Sequence, residues 1–138
     1  MDYQKLLEYR NLRNRFTHKL QIELTDVRLG YAKVEKTVAE DDLNPMGFAH
    51  GGLYYTMANN AAGSAAATHG ILMVTSSGSF NYYRSAACGD RLIAEATELK
   101  YGQTLAVYDI RITDQNGTLL GTGTFTFCST GKPLHIEP

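Results

Sequence analysis

The chain has 138 residues, 43% of them hydrophobic, which predicts a single domain over residues 1–138 with a substantial core. Its 13 basic and 14 acidic residues give a formal net charge of −1, without the basic cluster that nucleic-acid binding requires. Because no leader pattern opens the sequence and no run of about 18 apolar residues occurs, we expect a cytoplasmic protein without a membrane span.

The first predicted element is a short amphipathic helix within residues 1–17, where apolar side chains recur among charged ones. Its apolar positions are Leu6, Leu7, Leu12 and Phe16. Several basic residues are interleaved with these positions, and we expect them to form a solvated face of the helix. These basic residues are Arg10, Arg13, Arg15 and Lys19.

Alternating apolar and polar residues follow, which is the pattern of a strand with one buried face. The alternation covers residues 20–38 and is interrupted at residues 29–30, where Leu-Gly is the natural site of a turn. This segment therefore predicts a β-hairpin.

Residues 51–68 have the spacing of one long helix that is rich in alanine and carries no charged side chain. Two neighbouring rows of residues follow the helical repeat. They are Leu53, Met57, Ala61 and Ala65, and Tyr54, Ala58, Ala62 and Ala66. A helix this poor in charge is expected to be buried within the fold.

Four strand-like segments come after this helix, and turn signals separate them. They cover residues 72–83, 91–100, 104–113 and 119–128, with an Asn-Gly turn within residues 114–117. We predict an antiparallel meander of about four strands here. The whole chain is therefore assigned to the α+β class, with an antiparallel sheet packed on one long central helix.

The segment His50-Gly51-Gly52 opens the central helix and has the features of an oxyanion site. The first turn of a helix presents backbone N–H groups without partners, and the helix dipole favours negative charge there. Gly51 and Gly52 allow a ligand to approach the backbone without meeting a Cβ. The alternative is structural: the glycines bend the chain into the helix, and His50 caps it.

One face of this helix carries only polar residues and glycines. The residues that share it, at about 100° per residue, are Gly52, Thr56, Asn59 and Gly63. A polar stripe on a buried helix needs partners, so it either bonds to a neighbouring strand or subunit or lines a pocket. Residues 43–89 contain no Asp or Glu, and Arg84 is their only Lys or Arg. A general base on this helix must therefore be something other than a carboxylate.

Two motifs resemble those of a known family. They are N-x-x-G-x-x-H-G-G at residues 44–52 and N-Y-Y-R-S-A at residues 81–86, the latter followed by Gly89-Asp90. With the order of elements over residues 20–130, they resemble the hotdog-fold acyl-CoA thioesterases of the phenylacetic-acid-degradation type, including the 4-hydroxybenzoyl-CoA thioesterase of that branch. The resemblance implies a hotdog fold, in which an antiparallel sheet wraps around one long central helix.

The same resemblance implies an activity and an assembly. The activity is hydrolysis of an acyl-CoA to a free acid and coenzyme A, in which coenzyme A is part of the substrate and no separate cofactor is needed. The assembly is a homodimer or homotetramer with sites at the subunit interface. The acyl chain, aromatic or aliphatic, is not fixed by the sequence.

The family pattern also implies roles for individual residues. The N–H of Gly51, next to His50, polarises the thioester carbonyl. Asn44 orients the water or nucleophile, and Thr75 helps to hold water or substrate. Arg84 binds the phosphates of coenzyme A. The other residues expected to contact acyl-CoA are Gly52, Thr56 and Tyr83.

The chain departs from the family pattern at Asn59, where relatives carry Asp or Glu nine positions after the histidine. That carboxylate acts as nucleophile or general base, whereas an amide takes up no proton. One interpretation is that Asn59 holds water with Asn44 and Thr75, and that another group such as His50 activates it. The others are an engineered Asp-to-Asn change, a domain that binds acyl-CoA without hydrolysis, or a role for Asn60 instead.

Other kinds of site have less support. A β-hydroxyacyl dehydratase of the same fold needs a His–acid pair, and the acid-free stretch of residues 43–89 argues against one. The histidines outside the helix junction lack the spacing of metal ligands, so we predict no metal site. Cys88 and Cys128 are expected to be buried free thiols.

Overall fold

The computed structural model describes residues 1–137. The helices are α1 (Tyr3–Arg13), α2 (Arg15–Lys19) and α3 (Gly51–Ala67), and a short 3-10 turn covers Glu40–Asp42. The strands are β1 (Glu23–Arg28), β2 (Tyr31–Thr37), β3 (Ile71–Tyr82), β4 (Arg91–Tyr101), β5 (Leu105–Thr113) and β6 (Leu119–Pro133). The β6 strand continues beyond the predicted residues 119–128 because it pairs with β3 along that extension.

All six strands form one antiparallel sheet in the order β1-β2-β4-β5-β6-β3. The predicted α+β class, with a sheet packed on one long helix, is confirmed. The predicted meander of four consecutive strands is wrong in one respect. The strands β4, β5 and β6 are neighbours in turn, but β3 pairs with β6 at the far edge. The reason is that β2 occupies the side of β4 that β3 would need.

The β3 strand therefore forms an open edge of the sheet. It contains no charged residue and no proline. Two of its apolar side chains, Leu72 and Val74, are 42% and 52% exposed. Natural sheets protect their edges with charges, prolines or bulges, and in β3 the only such devices are two register irregularities, near Leu72 and near Ser76.

Small side chains allow α3 to lie close to the sheet. The alanines of α3 are buried against β2, β4 and β5, and four buried residues of these strands are also alanines, Ala32, Ala94, Ala96 and Ala106. Larger buried side chains fill the remaining space, among them Tyr108 and Phe125. Close packing of this kind gives α3 a fixed position, and the candidate site residues are attached to it.

The N-terminal segment forms two helices instead of the single predicted one. Asn14 separates them with φ −80° and ψ 91°, and its side chain accepts a hydrogen bond from the N–H of Thr17 at 3.3 Å. Asn14 therefore caps α2 at the point where the longer helix was expected to continue. Asn11 ties α1 to β1 through two 2.9 Å hydrogen bonds with the backbone of Leu24.

The prediction that both cysteines are buried is wrong. Cys88 is exposed and Cys128 is half-buried. Cys88 lies in the segment between β3 and β4, where its neighbours Ala87 and Gly89 are also exposed. Over residues 1–137, none of the helices has the length and apolar character to cross a membrane.

Candidate active site

Hydrogen bonds and a buried ion pair fix the end of the loop that leads into α3. The N–H of His50 donates to the carbonyl of Asp42, and the N–H of Ala49 donates to the carbonyl of Ala86, each at 2.8 Å. The carboxylate of Asp42 pairs with the ammonium group of Lys36 at 2.9 Å. The first residue of α3 is thereby placed relative to the sheet.

His50 caps α3 through its side chain. Its Nδ1 accepts a hydrogen bond from the N–H of Gly52 at 2.8 Å. A ring nitrogen that accepts a hydrogen bond carries no proton, so in this arrangement the ring proton is assigned to Nε2. The structure thus places His50 in the capping position, and Nδ1 is already used there.

The N–H of Gly51 is the free donor of this junction. Gly51 is the first residue of α3, and its N–H has no acceptor among residues 1–137. The Tyr82 hydroxyl donates to the carbonyl of Gly51 at 3.1 Å, so the ring lies against this residue. A Cβ at position 51 would lie 3.2 Å from Cε1 of Tyr82. Glycine is therefore what keeps the approach to this N–H open.

A cavity of about 320 Å³ opens beside this donor, and we call it the Gly51 cavity. Its lining residues are Asn44, Met46, Phe48, Ala49, Gly51, Tyr54, Tyr82, Tyr83, Arg84 and Ser85. The side chain of Arg84 is exposed and forms no ion pair with the rest of the described chain. The Tyr83 hydroxyl is within hydrogen-bond distance, 2.7 Å, of the Thr122 hydroxyl.

Asn44 orders the loop and also lines the Gly51 cavity. Its Oδ1 accepts hydrogen bonds from the N–H groups of Met46 at 3.0 Å and Phe48 at 3.1 Å. Its Nδ2 has no acceptor within residues 1–137, so it is a free donor at the cavity wall. Asn44 can therefore orient a ligand or water through its amide nitrogen only.

Tyrosine hydroxyls complete the polar groups of this region. The Tyr54 hydroxyl donates to the carbonyl of Arg84 at 3.1 Å, and burial raises the pKa of Tyr54 to about 12. Burial also raises the pKa of Tyr82. Both phenols therefore stay protonated near neutral pH and act as hydrogen-bond donors.

A second cavity of about 400 Å³ lies farther along α3, and we call it the Asn59 cavity. Its lining residues are Arg10, Asn14, Phe16, Thr17, Tyr55, Thr56, Asn59, Asn60, Gly63, Met73, Thr75 and Phe127. The Thr75 hydroxyl donates to Oδ1 of Asn59 at 3.0 Å, which joins β3 to α3. No acidic side chain of the described residues lines this cavity.

The sequence placed Arg10 outside the site and offered Asn60 only as an alternative to Asn59. Arg10 was predicted to lie on a solvated face, but its Nε donates to the buried Ser64 hydroxyl at 2.8 Å. Leu6 belongs to the core and lies one helical turn before Arg10, so its spacing was a signal for this orientation. Asn60 was expected to fit the pocket face less well than Asn59, and yet both line the same cavity.

The predicted site residues do not form one site within a single chain. Gly51 and Asn59 lie about 12 Å apart along the axis of α3, given the helical rise per residue, and they line different cavities. His50 and Gly52 line a third cavity of about 330 Å³, together with Thr56, whose hydroxyl donates to the Gly52 carbonyl at 2.8 Å. In residues 1–137, no group of three or more His, Cys, Asp or Glu side chains could hold a metal ion.

Residues 46–120 match the thioesterase superfamily, and the chain belongs to this family. It is therefore related to hydrolases that act on thioesters. Acyl-coenzyme A thioesterase PaaI of Escherichia coli is 32% identical to it over 96 residues, which are 70% of this chain and 69% of that protein.

Solved structures support the same grouping. The E. coli PaaI protein from the phenylacetic acid degradation operon superposes with a TM-score of 0.89 at 24% identity, covering 96% of this chain and 99% of that one, and this confirms the hotdog fold. A Streptococcus mutans protein bound to acetyl-CoA has a TM-score of 0.78 and 31% identity, covering 82% of this chain and 91% of that one.

Proposed function

We propose that the chain binds acyl-CoA thioesters and hydrolyses them to a free acid and coenzyme A. The observation that carries this proposal is the free N–H of Gly51, which shares a cavity with the unpaired Arg84. The first group suits a thioester carbonyl, and the second suits a phosphate. A relative named as an acyl-CoA thioesterase and a structural neighbour bound to acetyl-CoA support the same substrate class.

In this proposal the N–H of Gly51 stabilises the oxyanion. Water attacks the thioester carbon, and negative charge moves onto the carbonyl oxygen next to the helix start, where the dipole favours it. The C–S bond then breaks, the thiolate of coenzyme A takes a proton that the attacking water gives up, and the free acid remains. Loss of one oxyanion donor typically lowers kcat by about 10²–10³.

Arg84 is proposed to bind the phosphates of coenzyme A. Its guanidinium is exposed at the Gly51 cavity and has no carboxylate partner in the described residues. A guanidinium matches phosphate oxygens through two parallel hydrogen bonds. Tyr83 presents an exposed ring on the same wall, where it can pack against the ligand.

We further propose that two copies of the chain build each working site. A separation of about 12 Å prevents Gly51 and Asn59 of one chain from bonding to the same carbonyl group. The uncharged open edge of β3 provides a surface on which a second copy can add its own strand. A homodimer formed in this way brings Asn59 of one copy to Gly51 of the other, and a tetramer built from two such dimers keeps the same sites.

Asn59 and Thr75 are proposed to hold the attacking water without deprotonating it. Oδ1 of Asn59 accepts the Thr75 hydroxyl, and the remaining amide group can only donate. A general base typically contributes about 10²–10⁴ in rate, so turnover should be slow while binding persists. Because the Thr75 hydroxyl already occupies Oδ1 of Asn59, this amide is suited to hold a ligand rather than to accept a proton. That arrangement also favours a second candidate function, which is binding of acyl-CoA without hydrolysis.

The test is release of free thiol from a panel of aromatic and aliphatic acyl-CoAs, with affinities measured by calorimetry. We expect Asn59→Asp to release thiol about 10²–10⁴ times faster than the unchanged chain. Arg84→Gln should weaken binding of coenzyme A itself. Arg111→Gln, which removes an exposed arginine of β5 outside the Gly51 cavity, is the matched control and should bind normally.

The outcomes separate the two candidate functions. Acyl-CoA binding by Asn59→Asp without thiol release contradicts hydrolysis and supports the binding function. Turnover by the unchanged chain that disappears in Asn59→Ala supports a catalytic water held by the amide. Absence of binding to every acyl-CoA contradicts both functions. Sedimentation of the same samples tests the dimer, and a purely monomeric active protein contradicts the shared site.

A further inference from the structure

We propose that the Asn59 cavity contains a subsite, formed by Arg10 and Asn60, for an anionic group at the far end of the acyl chain. This inference rests on the proposed function and names its substrate class: acyl-CoAs whose acyl chain ends in a carboxylate. The subsite is about one helical turn from Asn59, beside Gly63.

Arg10 provides a positive charge without a counter-charge. Its Nε donates to the Ser64 hydroxyl at 2.8 Å, and its two terminal nitrogens bond to no acceptor within residues 1–137. No carboxylate of the described chain pairs with it or lines the cavity. Burial lowers the pKa of Arg10 to about 10, as expected for a guanidinium that has lost water and gained no anion. A bound carboxylate would supply the missing partner through charge-assisted hydrogen bonds.

The guanidinium is held at one end of the cavity by its neighbours. A Cβ at Gly63 would lie 3.3 Å from Nη2 of Arg10 and 3.5 Å from the Phe127 ring. The absence of a side chain at Gly63 therefore leaves room for the guanidinium to lie against α3. Together with the hydrogen bond to Ser64, this contact limits the side chain to a small range of positions.

Asn60 adds a polar group to the wall of the same cavity. The residue is 7% exposed. Its amide is not sealed from solvent, since no buried side-chain nitrogen or oxygen of the described residues lacks a partner. The surface that Asn60 retains lines the Asn59 cavity, so its Nδ2 is available to donate to an anion there.

The position of the subsite sets the length of the acyl chain. Gly63 follows Asn59 by one helical turn, about 6 Å along α3. A thioester carbonyl beside Asn59 and a carboxylate beside Arg10 therefore require a short chain, for which a six-carbon dicarboxylic acyl group is suitable. Met73 and Phe127 provide apolar walls for the methylene groups between the two ends.

The experiment compares adipoyl-CoA with hexanoyl-CoA, which have the same chain length and differ in the terminal carboxylate. Calorimetry of the full chain should give about tenfold to hundredfold tighter binding of adipoyl-CoA, since hydrogen bonds to charged groups contribute this much. Arg10→Gln should abolish the preference. Arg13→Gln, an exposed arginine of the same helix outside the cavity, should retain it.

Asn60→Leu provides a second variant, because it removes the amide, keeps the number and branching of side-chain heavy atoms, and leaves the arginine in place. It should reduce the preference, and thermal unfolding of each variant shows whether the protein is folded. If Arg10→Gln does not fold, an unchanged preference in Asn60→Leu overturns the subsite, and a reduced one supports it.

Failure of the subsite differs from failure of the proposed function. Equal binding of the two acyl-CoAs by the unchanged chain refutes the subsite and leaves acyl-CoA binding intact. A preference for adipoyl-CoA that depends on Arg10, without thiol release even by Asn59→Asp, supports the subsite and refutes hydrolysis. No binding of either compound refutes both.

Discussion

Replacement of Asp42 by Asn tests whether a buried ion pair fixes the start of α3. Asp42 and Lys36 pair at 2.9 Å, and their side chains are 6% and 4% exposed. The Asp42 carboxylate also accepts the N–H of Ala39 at 2.8 Å, and Lys36 donates to the Leu20 carbonyl. The carbonyl of Asp42 in turn accepts the N–H of His50 at 2.8 Å, which connects the pair to the helix cap.

The expected loss follows from this burial. Asp42→Asn preserves the size of the side chain but leaves the ammonium group of Lys36 buried without its counter-charge. Removal of one partner from a buried pair costs about 3–5 kcal/mol. Since a domain of this kind is stable by about 5–15 kcal/mol, the variant should unfold at clearly lower denaturant. Affinity for acyl-CoA should fall as well, because the loop beside Gly51 loses its anchor.

Urea unfolding followed by circular dichroism measures the loss. The control is Glu35→Gln, which breaks the partly exposed Glu35–Arg91 pair at 3.6 Å and should cost about 0–1 kcal/mol. The double variant Lys36→Met with Asp42→Leu should lose less stability than Asp42→Asn, since no charge stays behind. A loss in Asp42→Asn no larger than that of the control would refute the reasoning.

In a folded protein, Gly51→Val should abolish binding of hexanoyl-CoA, because the new side chain meets the Tyr82 ring 3.2 Å from the Cβ position. Calorimetry checks this, and unchanged affinity contradicts the oxyanion assignment. The pKa of Tyr54 is about 12 in the folded chain and about 10 in the unfolded chain, so the folded state holds this proton more tightly. The stability that this difference contributes is present below pH 10 and is lost as the pH rises through 12. The unchanged chain should therefore lose more stability than Tyr54→Phe between about pH 9 and about pH 11 in urea unfolding, and equal losses argue against a buried phenol. Gly78→Ala should cost about 1–3 kcal/mol, because its Cβ would overlap the Phe125 ring. An unchanged unfolding midpoint would contradict that close packing.

Local patterns in the sequence predicted the helices and strands well. The long helix begins at Gly51 as predicted and ends at Ala67, one residue earlier than expected. Glycine before the helix, alanine within it and Asn-Gly between β5 and β6 are strong signals because each acts over a few residues. The resemblance to thioesterases drew attention to Asn59 and Gly51 for the same reason, since its motifs are local.

Features that depend on contacts between residues far apart in the chain could not be predicted from local sequence patterns. The β3 strand has the same kind of pattern whether it pairs with β4 or β6, so the sequence did not specify its place at the edge. A charged side chain is normally solvated, and only the contact of Arg10 with Ser64 of α3 places it at a cavity. The separation of Gly51 from Asn59, by contrast, follows from their positions along the predicted helix of residues 51–68 and was already implied by the sequence.

The dimer proposed at the open edge of β3 would also make stability depend on protein concentration. When two copies pair along this edge, unfolding of either chain requires their dissociation, so mass action adds to the free energy of unfolding. A site shared between copies disappears on dilution together with that added stability. Specific activity per chain should therefore fall at low enzyme concentration, even though each chain retains every residue of the site.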